Sequence, residues 1–402
     1  MDLPIWGRGD AFSQAPEGWG WLDEKNRRHS CASAAELISI VRDDLHGRVM
    51  LVWFPSREHM ALPEELVGAE EAILTSRKRL AADDLLVSFD RLRWYSGLLG
   101  LVSIYMFYQG WAYAPQVAAP AERLFFGVRA VLSSMSVGVC FLMFLILAFI
   151  PWYQARKRLR ELDHWNGEDL QALIPVLRFE TWMDLQKSPA TRFLLALTAL
   201  VGLAQLLPTD GIAAAGLDKE LYLRQGEWWR LFTAPFLHGN PIHFLMNASA
   251  LLYLGKRLEV FARWPHLPLV FLLAACVGGE ASARFLTTTS VGASGGLMGW
   301  LGFLLVFETL HQRLVPRTAT RRLLAGVLLT GLIGLIGYRF IDNAAHAGGL
   351  AAGMLYAIIV FPKSASANRP NATLTDRIAG AAALVVLTLS AALAFVKITG
   401  LF

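Results

Sequence analysis

The sequence of 402 residues has little charge: Asp, Glu, Lys and Arg together make up 17% of it. A soluble globular chain usually has about 25%. Apolar residues reach 55%, and the mean hydropathy is +0.43. This balance excludes a soluble enzyme. The net charge of +5 does not indicate nucleic-acid binding either, because the basic residues stand at the ends of apolar runs.

Cysteine is also scarce. Cys31, Cys140 and Cys276 are far apart, and two of them lie in apolar runs. This spacing is typical neither of a disulfide framework nor of a metal site, so a secreted disulfide scaffold is excluded. A signal peptide and a mitochondrial presequence are not evident, since residues 1–93 are mixed polar sequence and acidic residues begin at Asp2.

Long apolar runs dominate what remains. A bilayer core of roughly 30 Å requires about 20 apolar residues per helix. Nine runs reach or approach this length: 94–121, 131–150, 193–209, 231–255, 264–279, 285–307, 323–338, 343–362 and 378–396. We therefore predict an all-α polytopic membrane protein with nine membrane helices.

The basic residues predict its orientation, because Lys and Arg accumulate in cytoplasmic loops. Every second inter-helix segment is basic, which places the N-terminus in the cytoplasm and the C-terminus outside. The segments 112–123, 209–230 and 286–291 are then also outside. The Ala- and Arg-rich composition favours a bacterial inner (plasma) membrane.

A small soluble domain is predicted ahead of the membrane helices. Ser33–Leu45 and the charged Pro63–Leu80 have helical spacing, and Arg48–Phe54 is typical of a buried strand. We interpret this part as a small α/β module, to which the sequence assigns no role. The predicted organisation begins with a cytoplasmic domain (1–93), two extra membrane helices (94–152) and a cytoplasmic connector (153–192). A core of six membrane helices (193–362) follows, and then a linker with one more membrane helix (363–402).

Three groups of polar residues interrupt the apolar runs, and each is a functional hypothesis because a bilayer disfavours such groups. The first contains His238, His243 and Asn247, of which the last two share a helix face. The second is the segment 292–295 (GASG), and the third is 343–353 (NAAHAGGLAAG). By the predicted topology all three lie at a similar depth in the outer leaflet, so they can converge.

A serine and a histidine at one depth can act as nucleophile and general base. Ser294 and His346 are the candidates, and small residues next to each would let their helices approach closely. The pairs Gly295/Gly299 and Gly349/Gly353 have the spacing of such contacts. The side chains of His243 and Asn247, with the Ser294 N–H, could stabilise an oxyanion.

Taken together, the motifs resemble those of the rhomboid intramembrane serine proteases. The resemblance covers residues 191–362, in the family's order. The matching segments are Trp229-Arg230, His238-x4-His243-x3-Asn247, Tyr253-Leu254-Gly255-x3-Glu259, Gly292-x-Ser294-Gly295 and His346-x-Gly348-Gly349-x3-Gly353.

This resemblance implies a Ser294–His346 dyad and a six-helix catalytic core. His243 and Asn247 would form the oxyanion hole, with Gly292 supplying room or an N–H. Residues 323–338 would be a mobile gate beside which the substrate's membrane segment enters. No metal or cofactor is implied, and the expected partners are transmembrane protein substrates and the bilayer. Supporting roles would fall to His238, Trp229, Arg230 and Met298, the last in a position where some members stack a tyrosine on the catalytic histidine.

Other interpretations stay open at several positions. Ser294 or His346 alone could be a helix-packing residue, and a structural role is favoured for His238. Asp342, four residues before His346, is favoured as a solvated carboxylate at a helix start rather than a third catalytic residue. Two other functions compete with proteolysis: a non-proteolytic rhomboid-like protein that binds membrane clients, and a transporter, for which no inverted repeat is visible.

Overall fold

A computed structural model describes residues 3–44, 47–113, 119–338 and 341–401. The chain divides into two compact units. The N-terminal unit comprises residues 7–181 with 335–337, and the C-terminal unit comprises 1–6, 182–334 and 338–402. The chain is mostly helical, and each unit is described by itself below.

The N-terminal unit contains a three-stranded antiparallel sheet in the order β2-β1-β3. Its strands are β1 Trp19–Asp23, β2 Arg28–Cys31 and β3 Val49–Trp53. Trp21 pairs with His29 on one side and with Val52 on the other. The predicted buried strand is thus confirmed as β3, whereas β1 and β2 were not predicted.

The helices of this unit begin with α1, which packs on the sheet. In chain order they are α1 Ala34–Arg42, α2 Glu70–Ala112, α3 Pro120–Ser133, α4 Met135–Phe144, α5 Ile150–Leu162 and α6 Gly167–Leu185. The Ser33 hydroxyl caps α1 by accepting the N–H of Glu36, so the predicted helix starts where expected. Its predicted end at residue 45 lies outside the described residues.

Three predicted boundaries in this unit are wrong. The charged helix expected at 63–80 begins at Glu70 and runs on for 43 residues without a break at 93, because no proline interrupts 70–112. The apolar run 131–150 and the charged stretch after it belong to one continuous helical segment, since a π-helical turn, Leu145–Phe149, joins α4 to α5. The end of the predicted loop 112–123 is already helical from Pro120, and residues 114–118 of that loop lie outside the described part.

The C-terminal unit continues with ten helices, the last of them near the end of the chain. They are α7 Pro189–Ala204, α8 Gly211–Ala215, α9 Lys219–Gln225, α10 Arg230–Thr233, α11 Pro241–Ala262, α12 His266–Phe285, α13 Ser294–Leu310, α14 Arg317–Ile336, α15 Asn343–Val360 and α16 Leu374–Thr399.

Five helical segments among the described residues are long and apolar enough to cross a membrane: Ser136–Leu162, His266–Phe285, Arg317–Leu335, Asn343–Val360 and Leu374–Thr399. Helices α7 and α13 are apolar but shorter, with 16 and 17 residues. The chain is therefore a polytopic integral membrane protein.

Two predicted membrane helices begin later than expected. Within the run 231–255 the long helix α11 starts only at Pro241, after the short α10, because the Asn240 side chain caps α11 by accepting the His243 N–H at 2.9 Å. The run 285–307 becomes helical only at Ser294. Gly292, with φ of +125°, turns the chain just before it.

Buried charges stabilise the core at the end opposite to these helix starts. Glu259 of α11 accepts the N–H groups of Ala190 and Thr191 at 3.1 and 2.9 Å and so satisfies the first turn of α7. Glu308 of α13 is paired with Arg257 of α11 and accepts the Thr320 hydroxyl of α14 at 2.9 Å. These contacts connect α7 and α13 to α11, and α14 to α13.

Candidate active site

Helices α13 and α15 lie backbone to backbone at the end where both begin. A Cβ atom added to Gly349 would overlap with the Gly295 carbonyl, and one added to Gly353 would overlap with the Gly299 carbonyl. Only glycine permits this approach. The four glycines thus pack as their spacing predicts.

This contact places Ser294 and His346 on adjacent turns. Ser294 is the first residue of α13, and His346 stands in the first turn of α15. Next to them, a Cβ on Gly295 would lie 3.6 Å from the Ala345 carbonyl oxygen. Both residues are only partly buried.

His243 and Asn247, from the first polar group, approach the start of α13 from α11. A Cβ on Gly292 would lie 2.8 Å from Cε1 of His243 and 3.5 Å from Nδ2 of Asn247. Asn247 is buried, and its Nδ2 has no hydrogen-bond partner in the part of the chain that the structure describes. A buried amide donor without a partner is costly. It marks the space beside Gly292 as one that a polar group can fill.

The structure decides between the two contributions considered for Gly292. Its N–H donates to the Ala234 carbonyl at 3.0 Å, so it is not free to bind an oxyanion. A side chain at position 292 would meet the His243 ring, so room is the contribution of Gly292 that is compatible with the structure.

His238 lies in this region without joining the face of His243 and Asn247. Its ring packs edge-on against His243, with centroids 5.2 Å apart, and against Phe244 at 5.3 Å. Its backbone exchanges two hydrogen bonds with the Gln205 side chain. These contacts support the structural role favoured for it.

Trp229 and Arg230 organise the loop before α11. The buried Arg230 donates to the carbonyls of Ala213 and Gly216 at 3.0 and 2.9 Å, and its guanidinium lies 4.6 Å from the centroid of the Trp229 ring. These contacts hold together the segment 209–230, and a supporting role of both residues at the site stays a prediction.

Met298 is buried one turn after Ser294, with 9% of its surface exposed. It stands on α13, the helix that packs on α15. The packing of its thioether on the His346 ring stays a prediction.

Asp342 is the carboxylate at the helix start that the sequence favoured, but it is half-buried and both of its oxygens accept hydrogen bonds. One of its oxygens caps α15 by accepting the Ala345 N–H at 2.8 Å. The other accepts the hydroxyls of Ser282 and Ser290. Neither serine was singled out from the sequence, nor was Lys219, whose ammonium donates to Ser290 at 2.7 Å.

The comparisons with known proteins agree with this geometry. A family model described as the rhomboid domain matches residues 225–363. This part of the chain is a rhomboid domain. The matched segment holds every residue that converges at the site, from His243 on α11 to His346 on α15.

Relatives in several organisms match the same region. RHOMBOID-like protein 4 of Arabidopsis thaliana is 37% identical over 36% of this chain and 37% of its own length. The rhomboid protease GluP of Bacillus subtilis is 32% identical over 37% of this chain and 29% of its own length. Inactive rhomboid protein 1 of Bos taurus is 32% identical over 34% of this chain and 16% of its own length. The aligned region thus spans less than half the length of these relatives, and the family includes both proteases and inactive members.

Proposed function

We propose that this rhomboid protein is an intramembrane serine endopeptidase that cleaves the membrane segments of single-span proteins. The glycine-mediated contact of α13 with α15 carries the proposal, because it puts a partly accessible hydroxyl and an imidazole on adjacent turns. The relative GluP, named as a rhomboid protease, supports it.

In the proposed reaction His346 takes the proton of Ser294 as Oγ attacks the peptide carbonyl. The tetrahedral intermediate collapses, the C–N bond breaks, and the imidazolium returns the proton to the leaving amine. Water then hydrolyses the acyl-enzyme, activated by the same imidazole. The cycle consumes only peptide and water.

The developing oxyanion would lie between α11 and the start of α13. The Asn247 amide, the His243 ring and the N–H of Ser294 are the proposed donors. Asn247 fits best, since its buried Nδ2 lacks a partner among the described residues. The Ser294 N–H heads α13, where the first amide groups have no partner within the helix.

A substrate helix must unwind locally before it can be cleaved, because its peptide groups are otherwise bonded to each other. We therefore expect helix-breaking residues and a small side chain at the cleaved position. The proposed setting is a bacterial plasma membrane, with the site opening to the outer face and α14 acting as the gate.

Cleavage of a single-span substrate in proteoliposomes tests the proposal. Ser294→Ala and His346→Ala should each abolish the cleaved product. Ser249→Ala is the matched control, because its hydroxyl is exposed on α11 and bonds only to its own helix at Leu245. Equal cleavage by all variants would reject the dyad. Binding of single-span proteins without cleavage would favour the client-binding alternative.

A further inference from the structure

Four polar side chains form a hydrogen-bonded cluster where α15 begins. Lys219 donates from Nζ to Ser290 Oγ at 2.7 Å. Ser290 and Ser282 both donate to the same oxygen of Asp342, and their own hydroxyl oxygens lie 2.9 Å apart. The members come from α9, from the loop before α13, from α12 and from the cap of α15. We call this set the Asp342 cluster.

Two members of the cluster are buried, whereas Ser290 and Asp342 are half-buried. Lys219 is 6% exposed and Ser282 is fully buried. A lysine is almost never buried unless a carboxylate balances it. Burial lowers the Lys219 pKa to about 8, against the opposing effect of the Asp342 and Asp218 carboxylates that face it.

The donors and acceptors of the cluster explain why Lys219 lies beside Ser290. A serine hydroxyl has one proton, and both serines direct theirs to Asp342. Ser290 therefore needs an outside donor for its own lone pairs, and the Lys219 ammonium supplies it. Without that ammonium, the carboxylate would lose the positive charge nearest to it in the cluster.

The Asp342 cluster connects directly to both halves of the proposed dyad. The Asp342 carboxylate accepts the N–H of Ala345, and its backbone carbonyl accepts that of His346 at 3.0 Å. Ser290 lies four residues before Ser294, and its backbone bridges to Leu217. The first turn of α15 is thereby fastened to the segment that leads into α13.

We propose that Asp342, held by Ser282 and Ser290 and balanced by Lys219, is a positioning residue that fixes the first turn of α15 and so orients His346 toward Ser294. The part that concerns the reaction rests on the proposed function. The part that concerns the position of α15 does not.

Hydrogen exchange of the full-length protein tests the position of α15 without any need for activity. In a Ser294→Ala background, Lys219→Met and Asp342→Asn should each raise the exchange of the amides at 345 and 346 by about tenfold, the effect of losing a charged hydrogen bond. Arg224→Met is the matched control, because Arg224 is a cation on the same short helix and its side chain is 80% exposed. Unchanged exchange in both test variants would overturn the proposal.

Kinetics in the active protein test the orientation of His346. Asp342→Asn and Lys219→Met should lower kcat by about 10- to 100-fold, as expected of a displaced catalytic group, with KM within about twofold. Because Lys219 loses its proton near pH 8, wild-type kcat should fall above that pH. Lys219→Arg should shift this fall to higher pH.

The two experiments separate the possible failures. Faster exchange, with no Ser294-dependent cleavage by the wild type, would reject the protease but keep the role of Asp342 in fixing α15. A descending limb that persists unchanged in Lys219→Arg would overturn the role of Lys219. An increase in KM with unchanged kcat would overturn the orientation of His346.

Discussion

Gly349 of α15 lies so close to the carbonyl oxygen of Gly295 on α13 that no side chain can be placed between them. The contact is one turn below His346 and adjacent to Ser294. The separation of the helix starts that carry Ser294 and His346 is therefore set by a contact between backbones, at residues that carry no side chain.

Gly349→Ala should separate α13 from α15. Its methyl group would overlap with the Gly295 carbonyl, and overpacking of this kind costs about 1–3 kcal/mol. We expect a lower Tm in detergent and a loss of cleavage of about 100-fold, since a displaced catalytic pair reacts slowly. Gly97→Ala on α2 is the control, because a Cβ there meets nothing within 4 Å. Equal behaviour of the two variants would contradict the packing.

Gly292→Ala should disable the site with a smaller effect on the rest of the fold. Position 292 has a φ of +125°, and the new methyl group would press on the His243 ring. We expect cleavage to be lost while α13 and α15 keep their protection from hydrogen exchange. Gly226→Ala provides the comparison, because φ there is also positive, at +74°, but the space is open. If Gly226→Ala lost cleavage as fully as Gly292→Ala, backbone strain rather than the contact with His243 would be the cause.

Glu308→Ala should destabilise the core far from the site. The change leaves Arg257 buried without its carboxylate, which typically costs about 3–5 kcal/mol. Thermal unfolding in detergent measures this as a reduced Tm. Glu220→Ala breaks the exposed pair with Arg224 and should change stability by under about 1 kcal/mol. A Tm equal to wild type for Glu308→Ala would show that the buried pair contributes nothing.

Asp23 should make the small sheet sensitive to acid. Burial alone would raise its pKa, but hydrogen bonds from the Arg27 backbone and side chain and from His29 hold that pKa well below its ordinary range. A carboxyl with a depressed pKa stabilises the fold above about pH 4 and loses this effect as the pH falls through its folded-state value.

Hydrogen exchange over residues 19–31 of the full-length protein checks this. Protection of β1 and β2 should persist at pH 4 and fall only in stronger acid, and Asp23→Asn should reduce it already at pH 7. Asp43→Asn, at an exposed carboxylate, should have no such effect. Full protection in Asp23→Asn would contradict the role given to this carboxylate.

Much of the site could be predicted from the sequence because polar residues are conspicuous in apolar runs. His243, Asn247, Ser294 and His346 stood out for that reason, and the helix 343–362 was predicted within two residues of its observed end at Val360. Hydropathy also predicted a polytopic membrane protein.

The parts that could not be predicted have physical reasons. Hydropathy does not record helix caps, so α11 and α13 begin later than their apolar runs. It also does not detect a helix that continues from charged into apolar sequence, as α2 does. The Asp342 cluster could not be predicted, because its lysine and serines lie in ordinary polar segments and only the fold brings them together.

Labelling of the detergent-purified protein with a fluorophosphonate probe tests the central claim most directly. The probe reacts only with an activated serine, so wild type should be labelled, Ser294→Ala and His346→Ala should not, and Ser249→Ala should be labelled like wild type. Absence of label on folded wild type, or label that survives in His346→Ala, would contradict a Ser294–His346 dyad.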